Sequence, residues 1–238
     1  MMKNNLVFYF LFFTFLLNSE ILDFSISYLG IDVIDVKIEH SNEKIDVWAT
    51  STNVGHLMAK MKNNYYIEYE LDYLPKNYQK KIIQKKYAEN RIIRYDRQKK
   101  IANRTSFIDS MKNCEYQIKA KSRDFFSSLF YLRDFANERN GSFWLDANGL
   151  IWKAEFQVLN DELINTKLGK ILSQKVKITF QKISKNKKKQ SDMLTNNLVS
   201  EENVLFFWFS KDVHKIPIKA QYSMKPFPII WNIKSYQK

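Results

Sequence analysis

The sequence predicts a mainly β fold: a curved antiparallel sheet or partly open β-barrel, with one apolar helix at about residues 124–135 packed on or in it. Three observations carry this. The closing stretch 204–236 reads as three consecutive strands, with turn chemistry at Ser210-Lys211-Asp212 and Met224-Lys225-Pro226. Aromatics make up 15% of the 238 residues, which favours strands and large buried side chains over disorder. The remaining alternating segments surround one segment of helical period, and antiparallel strands in sequence order close into a curved sheet or barrel.

Residues 21–29 and 31–40 read as two strands around Gly30. Residues 44–51 are a third, with Ile45, Val47 and Ala49 on one face. Residues 53–60 (NVGHLMAK) read as one helical turn crossing an end of the sheet. Residues 65–73 alternate, with Ile67, Tyr69 and Leu71 on one face and Glu68, Glu70 and Asp72 on the other. Leu74-Pro75-Lys76-Asn77 reads as a turn, after which 79–88 returns with Lys80, Lys81, Lys85 and Lys86. The acidic row and these lysines are expected to pair across strands, at about 0.2–1 kcal/mol per pair. Residues 91–95 and 104–108 are short strands.

Residues 124–135 (DFFSSLFYLRDF) form the convincing helix. Asp124 stands where a cap belongs, and Phe125, Phe126, Leu129, Phe130, Leu132 and Phe135 cover a broad apolar face. Arg133 lies close to that face, so it either snorkels or pairs with an interior acid. Segments 142–145, 151–159, 162–166 and 170–182 read as strands, with turns at Asn140-Gly141, Asn148-Gly149 and Leu168-Gly169. Residues 184–202 read as a basic mobile loop. In the closing strands, Ile216, Ile218, Ala220, Tyr222 and Met224 oppose Lys219, Gln221 and Ser223. Residues 204–209 are apolar on both faces and need a cover on each: a helix, a second sheet or a bound greasy ligand.

The first 19 residues read as a secretory signal peptide, leaving a single β-rich domain over 20–238. Lys3 precedes a 12-residue apolar run, LVFYFLFFTFLL, followed by Asn18 and Ser19. The run is short for a membrane span, and an uncleaved signal anchor stands as the lesser alternative. Export to the periplasm or cell envelope follows. The only cysteine, Cys114, excludes an internal disulfide and reads as a small buried apolar residue. The net charge of +13 fits an anionic envelope surface, and equally the Lys- and Asn-rich usage of an AT-rich genome. Export argues against nucleic acid.

Three patterns resemble a known family. FSISYLGIDVIDVKIEH looks like its opening strand, glycine turn and second strand. Asp124-Phe125-Phe126-Ser127-Ser128-Leu129-Phe130-Tyr131-Leu132-Arg133 resembles its helix. Phe207-Trp208-Phe209-Ser210 with Asp212, then Lys215-Ile216-Pro217-Ile218, resembles its closing hairpin. The family is the bacterial exported domain of unknown function 3108, and the resemblance spans nearly all of residues 20–238. It implies a periplasmic, mostly antiparallel, barrel-like fold, similar in shape to lipoprotein-localisation carriers. It transfers no catalytic residues.

The residues themselves present no catalytic constellation, metal motif or cofactor motif: His40, His56 and His214 lie far apart in sequence. A non-enzymatic reading follows, in two forms. In the first, Phe126, Phe130, Arg133, Trp208, Phe209 and Trp231 line a site for a lipid or acyl chain. In the second, the aromatics are plain core, and the surface lysines Lys185, Lys187, Lys188 and Lys189 bring an adaptor to anionic lipid or a partner.

Overall fold

The computed structural model describes residues 19–58, 60–135, 140–187, 191–196, 198–223 and 227–238. One 15-stranded sheet carries the fold. Its first eight strands are β1 (Glu20–Tyr28), β2 (Ile31–Ser41), β3 (Lys44–Ser51), β4 (Met61–Glu70), β5 (Leu74–Gln84), β6 (Tyr87–Asp96), β7 (Ile101–Ser106) and β8 (Cys114–Gln117). The others are β9 (Ser122–Arg123), β10 (Asn140–Ala147), β11 (Leu150–Thr166), β12 (Gly169–Lys182), β13 (Val204–Ser210), β14 (Pro217–Tyr222) and β15 (Ile229–Gln237). Among the described residues three α-helices interrupt them: α1 (Asn53–Met58), α2 (Phe125–Phe135) and α3 (Met193–Asn196).

The strand order is a meander with a displaced seam. β1 pairs with β2 on one side and β15 on the other, so the chain's first and last strands are neighbours. The free edges are β8 and β9, which are consecutive in sequence. Side chains bridge this seam. The Tyr95 and Tyr116 hydroxyls donate to Asp146 Oδ2 at 2.9 and 2.7 Å, and Arg97 donates to the carbonyls of Ala120 and Ser122. Edge strands left bare invite aggregation, and here each faces its counterpart across a few residues.

Helix α2 fills the interior. Phe126 packs on Tyr65 of β4, Phe130 stacks on His40 of β2, and Tyr131 meets Phe143 of β10. Contacts with strands all round the sheet place the helix inside the curve. Asp124 caps it, accepting from the amides of Phe126 and Ser127 at 2.8 and 3.2 Å. Phe126, Leu129, Phe130 and Leu132 are all buried, a gross stabilisation of about 6–12 kcal/mol at about 1.5–3 each.

The structure corrects several expectations. Residues 74–77 open β5 instead of turning; the reversal lies one step earlier, at a 3-10 turn over Leu71–Tyr73, where Asp72 and Tyr73 take positive φ. Asn140-Gly141 lies inside β10. Gly141 is there because the Phe156 ring of β11 lies across it, leaving no room for a side chain. Cys114 is exposed on the edge strand β8. The expected mobile loop at 184–202 is anchored in its second part: Ser191, Asp192, Leu194, Thr195, Leu198 and Val199 are buried. The turn expected at 224–226 lies outside the described residues.

The strand apolar on both faces is also explained. On β13, Leu205, Phe207 and Phe209 face the helix side. Trp208 points outward, its Nε1 donating to Glu162 at 2.8 Å, with the Lys175 and Lys219 ammoniums over its ring at 4.9 and 4.7 Å. The outer cover is thus two lysine stems, an arrangement that keeps the charged heads in water.

The wrapped sheet has two rims. The α1 rim carries the β1–β2 turn, α1, the β5–β6 turn, the segment between β12 and β13, and the β14–β15 connection. The Glu20 rim carries the start of β1, the 3-10 turn and the β13–β14 connection.

Candidate functional site

An apolar cavity of about 30 Å³ lies between α2 and strands β13–β15. Phe24, Phe126, Leu129, Phe207 and Trp231 line it, and Leu198, following α3, forms part of the wall at the α1 rim. Trp231 meets Phe24 edge-on at 6.2 Å. A volume of this size admits about one water, while a small-molecule pocket spans about 300–1,000 Å³.

Beside it the interior turns polar. Lys80, buried on β5, donates to Asp192 Oδ2, Asn148 Oδ1 and Thr195 Oγ1, each at 3.0 Å. Asp192 also accepts from the Tyr65 hydroxyl at 2.7 Å, and from the Thr195 amide and hydroxyl at 2.8 and 2.7 Å. Burial alone pushes the Asp192 carboxyl up. The Lys80 charge and the Tyr65 and Thr195 hydrogen bonds outweigh it and hold the group well below the usual carboxylate range. Arg91 reaches the same Asn148 oxygen at 2.8 Å and pairs with buried Glu89, which also holds Arg104. This network clasps residues 191–195 to β5 and to the β10–β11 turn. The expected pairing of Lys80 with the acidic row of β4 is not made: Glu68 bonds Tyr66 and Asn77 instead.

A second polar cluster sits at the Glu20 rim, in an open cleft of about 430 Å³. His40 Nδ1 lies 2.6 Å from Glu20 Oε1, and Nε2 lies 2.7 Å from the Tyr69 hydroxyl. Arg133 donates to Glu20 and lies over the Phe130 ring, so the helix arginine pairs with an acid. Burial pushes the Glu20 carboxyl up, but His40 and Arg133 pull it down to about 2.

The sequence-derived ligand set is therefore divided. Phe126 and Trp231 line the cavity. Phe209 is buried and stacks on Phe207 without reaching the cavity wall. Phe130 and Arg133 belong to the Glu20 rim, and Trp208 lies on the outer face. Lys185 and Lys187 are exposed; Lys188 and Lys189 lie outside the described residues.

Sequence reasoning missed the clasp and the Glu20–His40 pair. The signal for Lys80 was present, since Tyr78, Lys80 and Ile82 share one face of β5 at a period of two. Asp192 and Thr195 have the spacing of a helix cap. Glu20 and His40 meet only through the β1–β2 register.

The profile described as "Protein of unknown function (DUF3108)" matches residues 21–226, and the chain belongs to that family. A β-barrel-like protein of domain of unknown function DUF1849 from Brucella abortus is similar in structure, with a TM-score of 0.59 at 9% identity over 93% of this chain and 98% of that one. That likeness carries the fold alone. No curated protein matches in sequence.

Proposed function

We propose that this DUF3108 protein is an exported, non-enzymatic binding module for an apolar, lipid-like ligand, with the α2/β13–β15 cavity as the seed of its site. The observation that carries the reading is the lining: aromatic and aliphatic side chains from two sheet regions and a helix converge on one space, and Leu198 joins that lining at the α1 rim. The described part of 191–199 is held through side chains, not strand pairing. It can withdraw without breaking a ladder, and withdrawal removes Leu198 from the wall. The leader-like residues 1–19 support export.

The test is titration with a fluorescent fatty acid, alongside native mass spectrometry of the protein purified from cells. Wild type is expected to bind with saturation, Leu198→Ala more tightly, and Phe126→Trp, which fills the cavity, at least about tenfold more weakly. Binding unchanged in both variants places any ligand elsewhere. Absence of binding with ligand-free spectra refutes the reading.

A second reading, an envelope adaptor with a filled core, is favoured by the cavity's size. It expects no ligand, and vesicle association that weakens with salt.

A further inference from the structure

The α1 rim carries an exposed apolar patch. Leu57 of α1 is 85% exposed, and Val54, Leu29, Ile31 and Phe227 are each about half exposed. They are neighbours in space. The Thr52 amide bonds the Val33 carbonyl at 3.0 Å, setting α1 beside the β1–β2 turn. Gly55 lies so close to Val33 that a methyl group there would meet its carbonyl oxygen at 1.8 Å. The Phe227 ring lies 6.5 Å from Tyr28, edge-on, on the other side of that turn. Three connectors that are consecutive around the sheet thus present aliphatic and aromatic tips to solvent. A contiguous exposed patch of this kind marks an interaction surface.

Charge narrows the partner, because lysines outnumber the exposed acids Asp32, Glu201 and Glu202 on the rim. Lys60, Lys85 and Lys86 border the patch, with the Lys85 amide bonded to the Lys60 carbonyl at 3.2 Å. All three side chains are exposed, and none is in an ion pair among the described residues. Lys185 and Lys187 stand on the same rim. Loop tips projecting beyond strand ends, apolar and flanked by unpaired lysines, suit the boundary of headgroup and acyl chain, where apolar area and attraction to anionic lipid add together. A flat protein interface is better served by a continuous face with few lysines.

We infer that the α1 rim docks on an anionic lipid bilayer, with Leu57, Val54, Leu29, Ile31 and Phe227 entering the interface and the lysines meeting the headgroups. The inference rests on this exposed rim and not on the cavity, so docking and ligand binding succeed or fail separately.

The experiment uses the full chain with Cys114→Ser, which removes the exposed native thiol, and a polarity-sensitive fluorophore at one of two new cysteines. Leu57→Cys reports the α1 rim. Val213→Cys, 90% exposed on the β13–β14 connection, reports the opposite rim. Vesicles are phosphatidylglycerol and phosphatidylethanolamine, with brominated acyl chains for quenching. Expected are a blue shift and quenching at position 57 that diminish at high salt, with no change at 213. Leu57→Asp is expected to lower the bound fraction about tenfold with an unchanged unfolding midpoint. Attachment through the N-terminal apolar run, which joins β1 at the Glu20 rim beside Val213, moves the reporter at 213 and not the one at 57. Equal responses, a response at 213 alone, or none at either site overturns the inference. So does a dimer that Leu57→Asp converts to monomer without any vesicle response, which makes the rim a protein interface.

Discussion

Lys80→Met tests the buried clasp most directly. The ammonium has five partners around it: Asp192, Asn148 and Thr195 at 3.0 Å, and the Tyr65 and Tyr78 rings at 5.8 and 5.2 Å. Removing it leaves the Asp192 carboxylate buried with only hydroxyl and amide donors. Breaking one side of a buried ion pair costs about 3–5 kcal/mol. For a domain of this size, where about 1 kcal/mol moves the midpoint by about 2–4 °C, the unfolding temperature should fall by about 6–20 °C. The double variant Lys80→Met/Asp192→Leu removes both charges and should recover most of that loss, since an apolar pair of similar volume often matches a buried salt bridge. Calorimetry on wild type, both single variants and the double variant closes the cycle. Additive effects, with the double variant losing as much as both singles together, would show that the pair is not the unit holding 191–195 and would refute this reasoning.

Glu20→Gln should lower stability near neutral pH and flatten its acid dependence. The Glu20 carboxyl sits below its ordinary 4.5, at about 2, so its contribution is full above pH 4.5 and lost as pH falls toward 2. After allowance for screening at the open rim, this is about 2 kcal/mol; pH-dependent denaturation should show wild type losing stability over that window and the variant a flatter profile. Asp124→Ala removes the α2 cap and should cost about 1–2 kcal/mol in urea melts without changing the slope. Gly55→Ala should lift α1 off Val33. Hydrogen exchange at the Thr52 amide is expected to accelerate at least about tenfold while global stability moves by less than about 1 kcal/mol.

Much of the sheet was legible because alternation is a local signal. Residues 44–51 are a strand with the bounds their pattern suggested, and 124–135 form a helix because the apolar spacing and the cap agree. The misread places share one cause, which is that a partner distant in sequence decides them. Asn140-Gly141 has turn chemistry, but the Phe156 ring covers the glycine, and Gly141 stays in the ladder. Trp208 looks like a core aromatic, yet the register turns it outward onto lysines contributed by β12 and β14. The polar stretch after Lys187 reads as mobile by composition, and Asp192 becomes buried only because Lys80 waits 112 residues earlier. Two of the six expected ligand residues, Phe126 and Trp231, line the cavity; they stand out in the sequence as surplus aromatics on helix and sheet, whereas the Leu198 wall depends on the clasp.

Asp192 and Thr195 of the clasp and Leu198 of the cavity lining belong to one short segment around α3, which couples clasp and cavity. The cavity faces β13–β15, far in strand order from the β8–β9 seam, with α2 as its other wall and Leu198 at the α1 rim. On the binding reading a ligand enters past the described segment around α3, which Lys80 holds through Asp192 and Thr195. If the binding reading is right, Lys80→Met should raise fatty-acid uptake even as it lowers stability, because the closed state loses the clasp and the cavity lining is untouched. A titration at 15 °C, where the variant stays folded, separates the cases. Higher apparent affinity supports a plug in equilibrium between closed and open states, with binding reduced by the fraction closed. Unchanged uptake at a clearly lowered midpoint would mean that 191–199 is a fixed part of the core and that the cavity has no door.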